Sequence, residues 1–262
     1  MCTILYLHRV HPDFPLIVAA NRDEHYARPS TAPAQIAVAP RIVAGLDKRA
    51  GGTWLGVNEC GLLVGLTNQR TYMPPDPRLR SRGEVVMAAL RARSLDELRE
   101  VLERVRPEEH NAFNLLFGDG RELFAAYSRP ETARIEIDAA PEGVNVLPND
   151  RIGAPGFPKA ERARALASAL PMTAWSELAP RLGQVLGDHA LPELAAVPQP
   201  PPGSTFDHAT LHRMEAICLH GAEYGTCSAS LIALGKRGVA HYWFADGPPC
   251  TASWRDVTAL LG

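Results

Sequence analysis

Pro15-Leu16-Ile17-Val18-Ala19-Ala20, followed directly by Asn21-Arg22-Asp23-Glu24, is the stretch that decides the fold. A nearly unbroken apolar run of six residues suits a strand buried on both faces. Upstream, Cys2 to His8 alternates and is rich in β-formers, and His11-Pro12-Asp13 supplies a turn between the two. Four polar residues at the end of a buried strand place that end at the surface or against a site. Downstream, residues 27–35 carry Pro29 and Pro33 and read as loop. Thr53 to Asn58 and Gly61 to Leu66 read as a hairpin turning at Asn58 to Gly61.

The period then changes. Ser81 to Arg93 reads as a helix with Val85, Val86, Ala89 and Leu90 on one face. Ser94 and Glu97 form a capping box ahead of the stripe Leu95, Leu98, Leu102 and Val105. Strands are expected at Ala112 to Phe117, Glu122 to Tyr127, Arg134 to Ile137 and Gly143 to Leu147, with Asp119-Gly120 as a hairpin turn. A second helix pair follows at Lys159 to Leu170 and Trp175 to Leu186, then a stiff proline-rich loop at Pro198 to Pro202. The end returns to strands at Met214 to Leu219, Thr226 to Leu234 and Val239 to Phe244. Strands in runs joined by short turns argue for antiparallel sheets and against a Rossmann core. The order predicts an α+β protein, a four-layer αββα sandwich of two antiparallel sheets, with one helix pair on each outer face. No domain boundary shows within 1–262.

The chain has 262 residues, 46% of them hydrophobic and 21% charged, which excludes a disordered chain, a collagen or a coiled coil. With 27 Lys and Arg against 29 Asp and Glu the net charge is −2, so no basic field points to nucleic acid. No apolar run is long enough to span a membrane, and the first residues lack the layout of a signal peptide. The five cysteines are scattered and none is paired as CxxC. That pattern argues against a disulfide framework and for a cytoplasmic location.

Cys2 follows the initiator Met, and a residue that small normally permits Met removal. A chain beginning with Cys2 carries a thiol and a free α-amine on one residue, with ordinary pKa values of about 8.5 and about 7.7–8.0. The amine then serves as base for the thiol. Alternatively, Cys2 is a small apolar residue opening a strand. Arg22 supplies the fixed positive charge that a thiolate needs, and Asp23 a carboxylate that tunes the amine. Otherwise these residues form an ordinary surface charge cluster. Asn68 and Asn149 each follow a strand, where a side-chain amide serves as an oxyanion donor or as a turn residue. His208 and His212 share a helix face if that segment is helical, but no supporting carboxylate or HExxH pattern accompanies them, and no metal is expected. Trp54 and Trp243 read as strand packing. No GxGxxG, P-loop or haem-attachment motif occurs.

Cys2, Ala20 to Glu24, Gly51 to Asn58 and Gly61 to Asn68 closely resemble the NRDE family, to which transport and Golgi organisation protein 2 belongs. Ser81-Arg82-Gly83, Asn114 to Asp119, Leu147-Pro148-Asn149-Asp150 with Pro158-Lys159, and Tyr224-Gly225-Thr226 extend the likeness over the whole chain. The resemblance implies the N-terminal-nucleophile hydrolase fold. It reaches more weakly to penicillin V acylases and bile salt hydrolases, and through them implies Cys2 as nucleophile, Asn68 as an oxyanion donor and Asn149 as a second polarising amide. Arg22 and Asp23 stand close to an arginine and aspartate of those enzymes, at a different spacing. Asn21, Glu24, Trp54 and Cys227 are candidate substrate contacts. Cys227 stands where the family usually has an arginine, and is either a buried strand residue or a second reactive thiol. Two functions are implied. One is a hydrolase of an amide or acyl bond in a small hydrophobic metabolite. The other is a non-catalytic carrier of haem or acyl-CoA and lipid, with haem as a possible ligand and no cofactor required.

Overall fold

The structure, a computed structural model, describes residues 3–262. Two antiparallel sheets face each other. One has six strands in the order β10 (Gly143–Leu147), β1 (Thr3–His8), β2 (Leu16–His25), β11 (Tyr224–Gly235), β12 (Gly238–Ala245) and β13 (Trp254–Asp256). The other has seven in sequence order: β3 (Ala34–Val38), β4 (Arg41–Ala44), β5 (Leu55–Asn58), β6 (Leu63–Asn68), β7 (Phe113–Gly118), β8 (Leu123–Ser128) and β9 (Glu136–Ala139).

Strand alternation sorts the side chains into three layers. Leu16, Val18 and Ala20 of β2 point between the sheets and pack with Val43, Leu55, Val57 and Leu63. Ile17 and Ala19 point outward, onto α3 (Pro158–Ser168) and α4 (Trp175–Leu186), through Ala163, Ala167, Leu178 and Leu182. The outer face of the seven-stranded sheet packs Ile42, Val64 and Leu66 under α1 (Arg82–Leu90) and α2 (Leu95–Glu103), through Val86, Leu90, Leu98 and Leu102. The result is the expected αββα sandwich with one helix pair on each outer face. Each fully buried aliphatic side chain contributes about 1.5–3 kcal/mol, so the two-faced burial of β2 makes it the central strand energetically as well as topologically.

The motifs hold the layers in register. Asn58 turns the β5–β6 hairpin: its Oδ1 accepts from the N–H of Cys60 and of Leu62, both at 3.0 Å. Its Nδ2 donates to Leu90 O and Ala92 O at 2.9 and 2.8 Å, pinning the end of α1 to the hairpin. Gly52 and Gly83 explain each other, because a Cβ on Gly83 would sit 3.0 Å from Gly52 Cα and Thr53 N. The two backbones touch, and any side chain would separate the 51–53 turn from α1.

Four local expectations are corrected. The strand at Pro15 to Ala20 does not stop there: β2 continues to His25, because Tyr224 to Ser228 of β11 pair with its polar end. The 27–35 loop gives way at Ala34 to a short strand, and β3 and β4 form an extra hairpin. Met214 to Leu219 is irregular and follows α5 (His208–Arg213); its apolar residues are buried against neighbouring segments without a ladder. The strand expected at Arg134 to Ile137 lies at Glu136–Ala139.

Candidate active site

At one end of the sandwich the sheets splay into a cleft of about 1890 Å3, with Arg22, Glu24, Trp54, Asn68, Arg70 and Tyr72 among its walls. The end of β6 and the segment after β10 are tied together beneath it. Asn149 Nδ2 donates to Asn68 O at 2.8 Å, Arg70 N donates to Asn149 O at 2.7 Å, and Thr67 Oγ1 donates to Pro148 O at 2.6 Å. Asn114 Nδ2 supports Thr67 Oγ1 from β7 at 3.1 Å. Both sheets therefore contribute to one rigid floor.

Arg22 is 5% exposed, with its guanidinium 4.6 Å from the centre of the Trp54 ring. It makes no hydrogen bond or ion pair to the described residues; its charge is held by ring stacking and faces the cleft. Asn68 ends β6 opposite Phe113, and its side-chain amide is likewise without a partner among the described residues. Thr3, the first described residue, is paired with Asn21, so β1 starts level with the polar end of β2. Cys2, the candidate nucleophile, lies outside the described residues.

Asp23 occupies the opposite face of β2 from Arg22. Thr226 Oγ1 donates to Asp23 Oδ1 at 2.7 Å, and Lys159 Nζ lies 4.0 Å from Oδ2, both side chains of that ion pair being fully buried. Leu219 N donates to Thr226 Oγ1 at 2.9 Å, and Tyr224 Oη donates to the backbone carbonyl of Asp23 at 2.9 Å. The Tyr224-Gly225-Thr226 and Pro158-Lys159 motifs thus meet at one carboxylate.

The remaining candidates divide. Glu24 stands at the rim, its carboxylate 3.3 Å from Arg28, which in turn reaches Asp47 at 2.6 Å. Asn21 is turned away from the cleft: its Nδ2 donates to Leu186 O and Ile217 O, both at 2.9 Å, fastening β2 to the end of α4. This placement corrects the expectation that Asn21 touches substrate. Asn149 is fully buried, lies off the cleft wall and gives an amide hydrogen to Asn68 O, so it shapes the floor instead of presenting a donor to the cleft. Cys227 is the extra residue of a bulge between Thr226 and Ser228, half-buried and bonded to the Glu24 carbonyl at 3.4 Å. Burial pushes its thiol pKa up, against the opposing pull of Arg22, so it is neutral at pH 7. His208 and His212 do lie on α5, but Nε2 of each is bonded to a backbone carbonyl, that of Val197 and of Pro192, both at 2.8 Å.

Three buried charged groups were not singled out from sequence for a role: Lys159, Glu215 and Arg70. Glu215 receives Arg70 at 2.7 Å and Lys159 N at 3.1 Å. Lys159 did stand in a quoted motif, and a lysine beside the apolar stripe of a helix was the available signal.

The fold is that of the N-terminal-nucleophile hydrolases. A conjugated bile acid hydrolase from Clostridium perfringens superimposes with a TM-score of 0.53 at 11% identity, covering 100% of this chain and 94% of that one. Penicillin V acylase from Agrobacterium tumefaciens gives 0.54 at 16%, covering 98% and 86%. The sequence is more specific than the fold: the family model for Transport and Golgi organisation 2 matches residues 1–244, and the chain belongs to that family. The Transport and Golgi organization 2 homolog of Mus musculus is 31% identical, over 94% of this chain and 92% of that protein. The homolog of Bos taurus is 30% identical over the same shares.

Proposed function

We propose that this protein is a cysteine N-terminal-nucleophile hydrolase acting on an amide or acyl bond of a small hydrophobic metabolite. The observation that carries the proposal is the Arg22 guanidinium, stacked on Trp54 and otherwise without a partner among the described residues, in a cleft whose wall also holds the unpartnered Asn68 amide. A buried cation held for no internal partner suits an anion formed during reaction, first a thiolate and then an oxyanion. Met1 is removed, and the α-amine of Cys2 takes the thiol proton. The thiolate adds to the substrate carbonyl. Collapse of the adduct forms a thioester and expels the leaving group, which receives that proton. Water then adds to the thioester and releases the acid and the thiol. Asp23 acts through position, holding Thr226 and the 217–219 segment. The four described cysteines are free, in keeping with a reducing, cytoplasmic setting. No helix among the described residues is long and apolar enough to cross a membrane.

A second reading, a carrier of haem or acyl-CoA, draws on the size of the cleft. It exceeds the roughly 300–1,000 Å3 of a typical small-molecule pocket. Tyr26, Met73 and Leu191 on its walls are exposed by 47%, 53% and 45%. One experiment separates the two. Native protein is incubated with a panel of amides and acyl thioesters and examined by intact mass. Hydrolysis predicts a chain starting at Cys2, an acyl adduct on it, and loss of turnover in Cys2→Ala. Active protein that retains Met1, or turnover unchanged in Cys2→Ala, overturns the mechanism. Absence of any adduct together with haem or acyl-CoA binding unchanged in Cys2→Ala leaves the carrier.

A further inference from the structure

On one shoulder of the cleft, three segments distant in sequence bring together His189, Cys218, His220 and Cys250. One ligand atom from each lies within 4.8 Å of all the others. Cys218 Sγ and Cys250 Sγ are 3.7 Å apart, and His220 Nε2 lies 3.3 Å from Cys250 Sγ and 3.9 Å from Cys218 Sγ. A tetrahedral zinc ion with Zn–S of about 2.3 Å and Zn–N of about 2.0–2.1 Å requires an S···S edge of about 3.8 Å and S···N edges of about 3.6 Å. The three edges among Cys218, His220 and Cys250 lie within about 0.3 Å of those values, and His189 stands within 4.8 Å of each, close enough to complete the set by a small side-chain shift. A set of two thiolates and two imidazoles is the donor chemistry of zinc, and hard cations such as magnesium or calcium take oxygen instead. We infer that this cluster is a structural zinc site with His189, Cys218, His220 and Cys250 as its four ligands.

The surroundings are built to hold that arrangement. His189 Nδ1 is bonded to Cys218 O at 3.1 Å, which sets the tautomer and leaves Nε2 with the lone pair; metal-bound histidines are oriented in this way. Cys218 N donates to Asp188 O at 2.9 Å, so two ligand segments are joined through backbone. Asp188 is itself fixed by Arg162 of α3 at 2.7 Å. The third segment approaches because residue 187 has no side chain: a Cβ on Gly187 would meet Cys250 Cα at 3.3 Å. Cys218 is buried, while His189, His220 and Cys250 are exposed, so an ion has a path in from solvent.

The site also has a position in the fold that gives it work. His189, Cys218 and His220 belong to the cleft wall. The next residue after Cys218 donates its N–H to Thr226, which donates to Asp23. Zinc bound here fastens the end of α4, the irregular 214–223 segment and the loop after β12 into one clamp, one residue away from the carboxylate network. The site stands apart from the proposed hydrolysis, and its test does not depend on any substrate.

The test uses full-length protein, reduced and stripped of metal, then titrated with Zn(II) or Co(II). One equivalent is expected to bind. Co(II) should give the visible bands of a tetrahedral ion and a thiolate charge-transfer band in the near ultraviolet. Zinc at about 100 times its Kd should raise Tm by about 5–10 °C. Cys250→Ser and His220→Ala, both at exposed positions, should each weaken binding by ~100-fold or more with the far-ultraviolet circular dichroism of the metal-free protein unchanged, while Cys60→Ser leaves binding unchanged. Absence of a tetrahedral Co(II) spectrum in reduced wild-type protein overturns the inference. So does a spectrum that survives Cys250→Ser. So does a count of three free thiols instead of five in freshly purified, denatured protein, because Cys218 and Cys250 would then be a disulfide.

Discussion

Arg70→Met isolates the energetics of the buried charge network beneath the cleft. Arg70 and Glu215 side chains are only 6% and 0% exposed and meet at 2.7 Å. Arg70 also donates to Gly156 O at 3.2 Å and lies 4.1 Å from the centre of the Phe157 ring. Methionine keeps most of the aliphatic packing and removes the charge and its donors. Glu215 is then left with Lys159 N at 3.1 Å as its remaining donor, a buried carboxylate half satisfied. Breaking a buried pair in this way costs about 3–5 kcal/mol, and the lower end applies here because one donor remains. The expected effect is about 3 kcal/mol of stability and about 6–12 °C in Tm. Glu215→Gln alone should cost about 2 kcal/mol, since Arg70 then faces a neutral amide. In the double variant the amide still accepts from Lys159 N and no charge is stranded. The two changes should therefore couple by about 2 kcal/mol. Urea unfolding of the four proteins at unchanged m value measures this directly. A single-variant loss under about 1 kcal/mol, or losses that simply add, refutes the argument.

Asn58→Ala should cost about 3 kcal/mol, because two carbonyls and two N–H groups lose their partners; Asn58→Asp should cost at least as much, since an acceptor would then face Leu90 O and Ala92 O. Differential unfolding temperatures test both. Iodoacetamide at pH 7 should modify exposed Cys60 long before Cys227, whose raised pKa keeps it a thiol; the Cys227 rate should climb as pH rises, and equal labelling at pH 7 would contradict this. His8, buried and flanked by Arg9, has a pKa lowered from 6.5. The unfolded chain therefore takes up a proton that the folded one resists, and stability should be lost as pH falls below about 6.5. His8→Phe should flatten that slope in pH-dependent unfolding, with His110, lowered for the same reason, keeping part of it.

The layering was legible because each layer leaves a period in the sequence. Val85, Val86, Ala89 and Leu90 announce one helix, and Asn58 with Gly61 announce one hairpin. The end of β2 was not legible. Asn21 to Glu24 look like a chain leaving its sheet, yet they stay in it because β11 supplies a ladder from 200 positions away and buries them among carbonyls, a hydroxyl and an ammonium. Periodicity measures hydrophobicity, and a strand end that buries polar side chains has none to measure. Met214 to Leu219 failed in the reverse sense, being apolar enough for a strand but with Ile217 O and Leu219 N bonded to side chains of Asn21 and Thr226. The four residues of the zinc site we infer were illegible for a simpler reason. Only Cys218 and His220 are close in sequence, and the other two arrive by way of a helix end and a strand loop.

That same misread strand end decides what Arg22 and Asp23 can each do. Neighbours in a strand point to opposite faces. Arg22 points between the sheets, onto Trp54 and the cleft, and Asp23 points outward, onto Thr226 and Lys159. A substrate in the cleft can therefore feel the charge of Arg22 directly, whereas the Asp23 carboxylate, although its residue also lines the cleft, accepts from Thr226 and faces Lys159. If that division holds, Arg22→Lys and Asp23→Asn must fail differently in an alkylation or turnover assay. Lysine keeps the charge but not the flat stack on Trp54, so the loss should fall on the reacting thiol, with stability nearly unchanged. Asparagine keeps the acceptor for Thr226 but strands the buried Lys159 ammonium, so the loss should fall first on stability, by about 3 kcal/mol. The second change, Lys159→Met, should restore stability to Asp23→Asn without touching Arg22. If it restores nothing, the Asp23–Lys159 pair is not what holds this end of the strand.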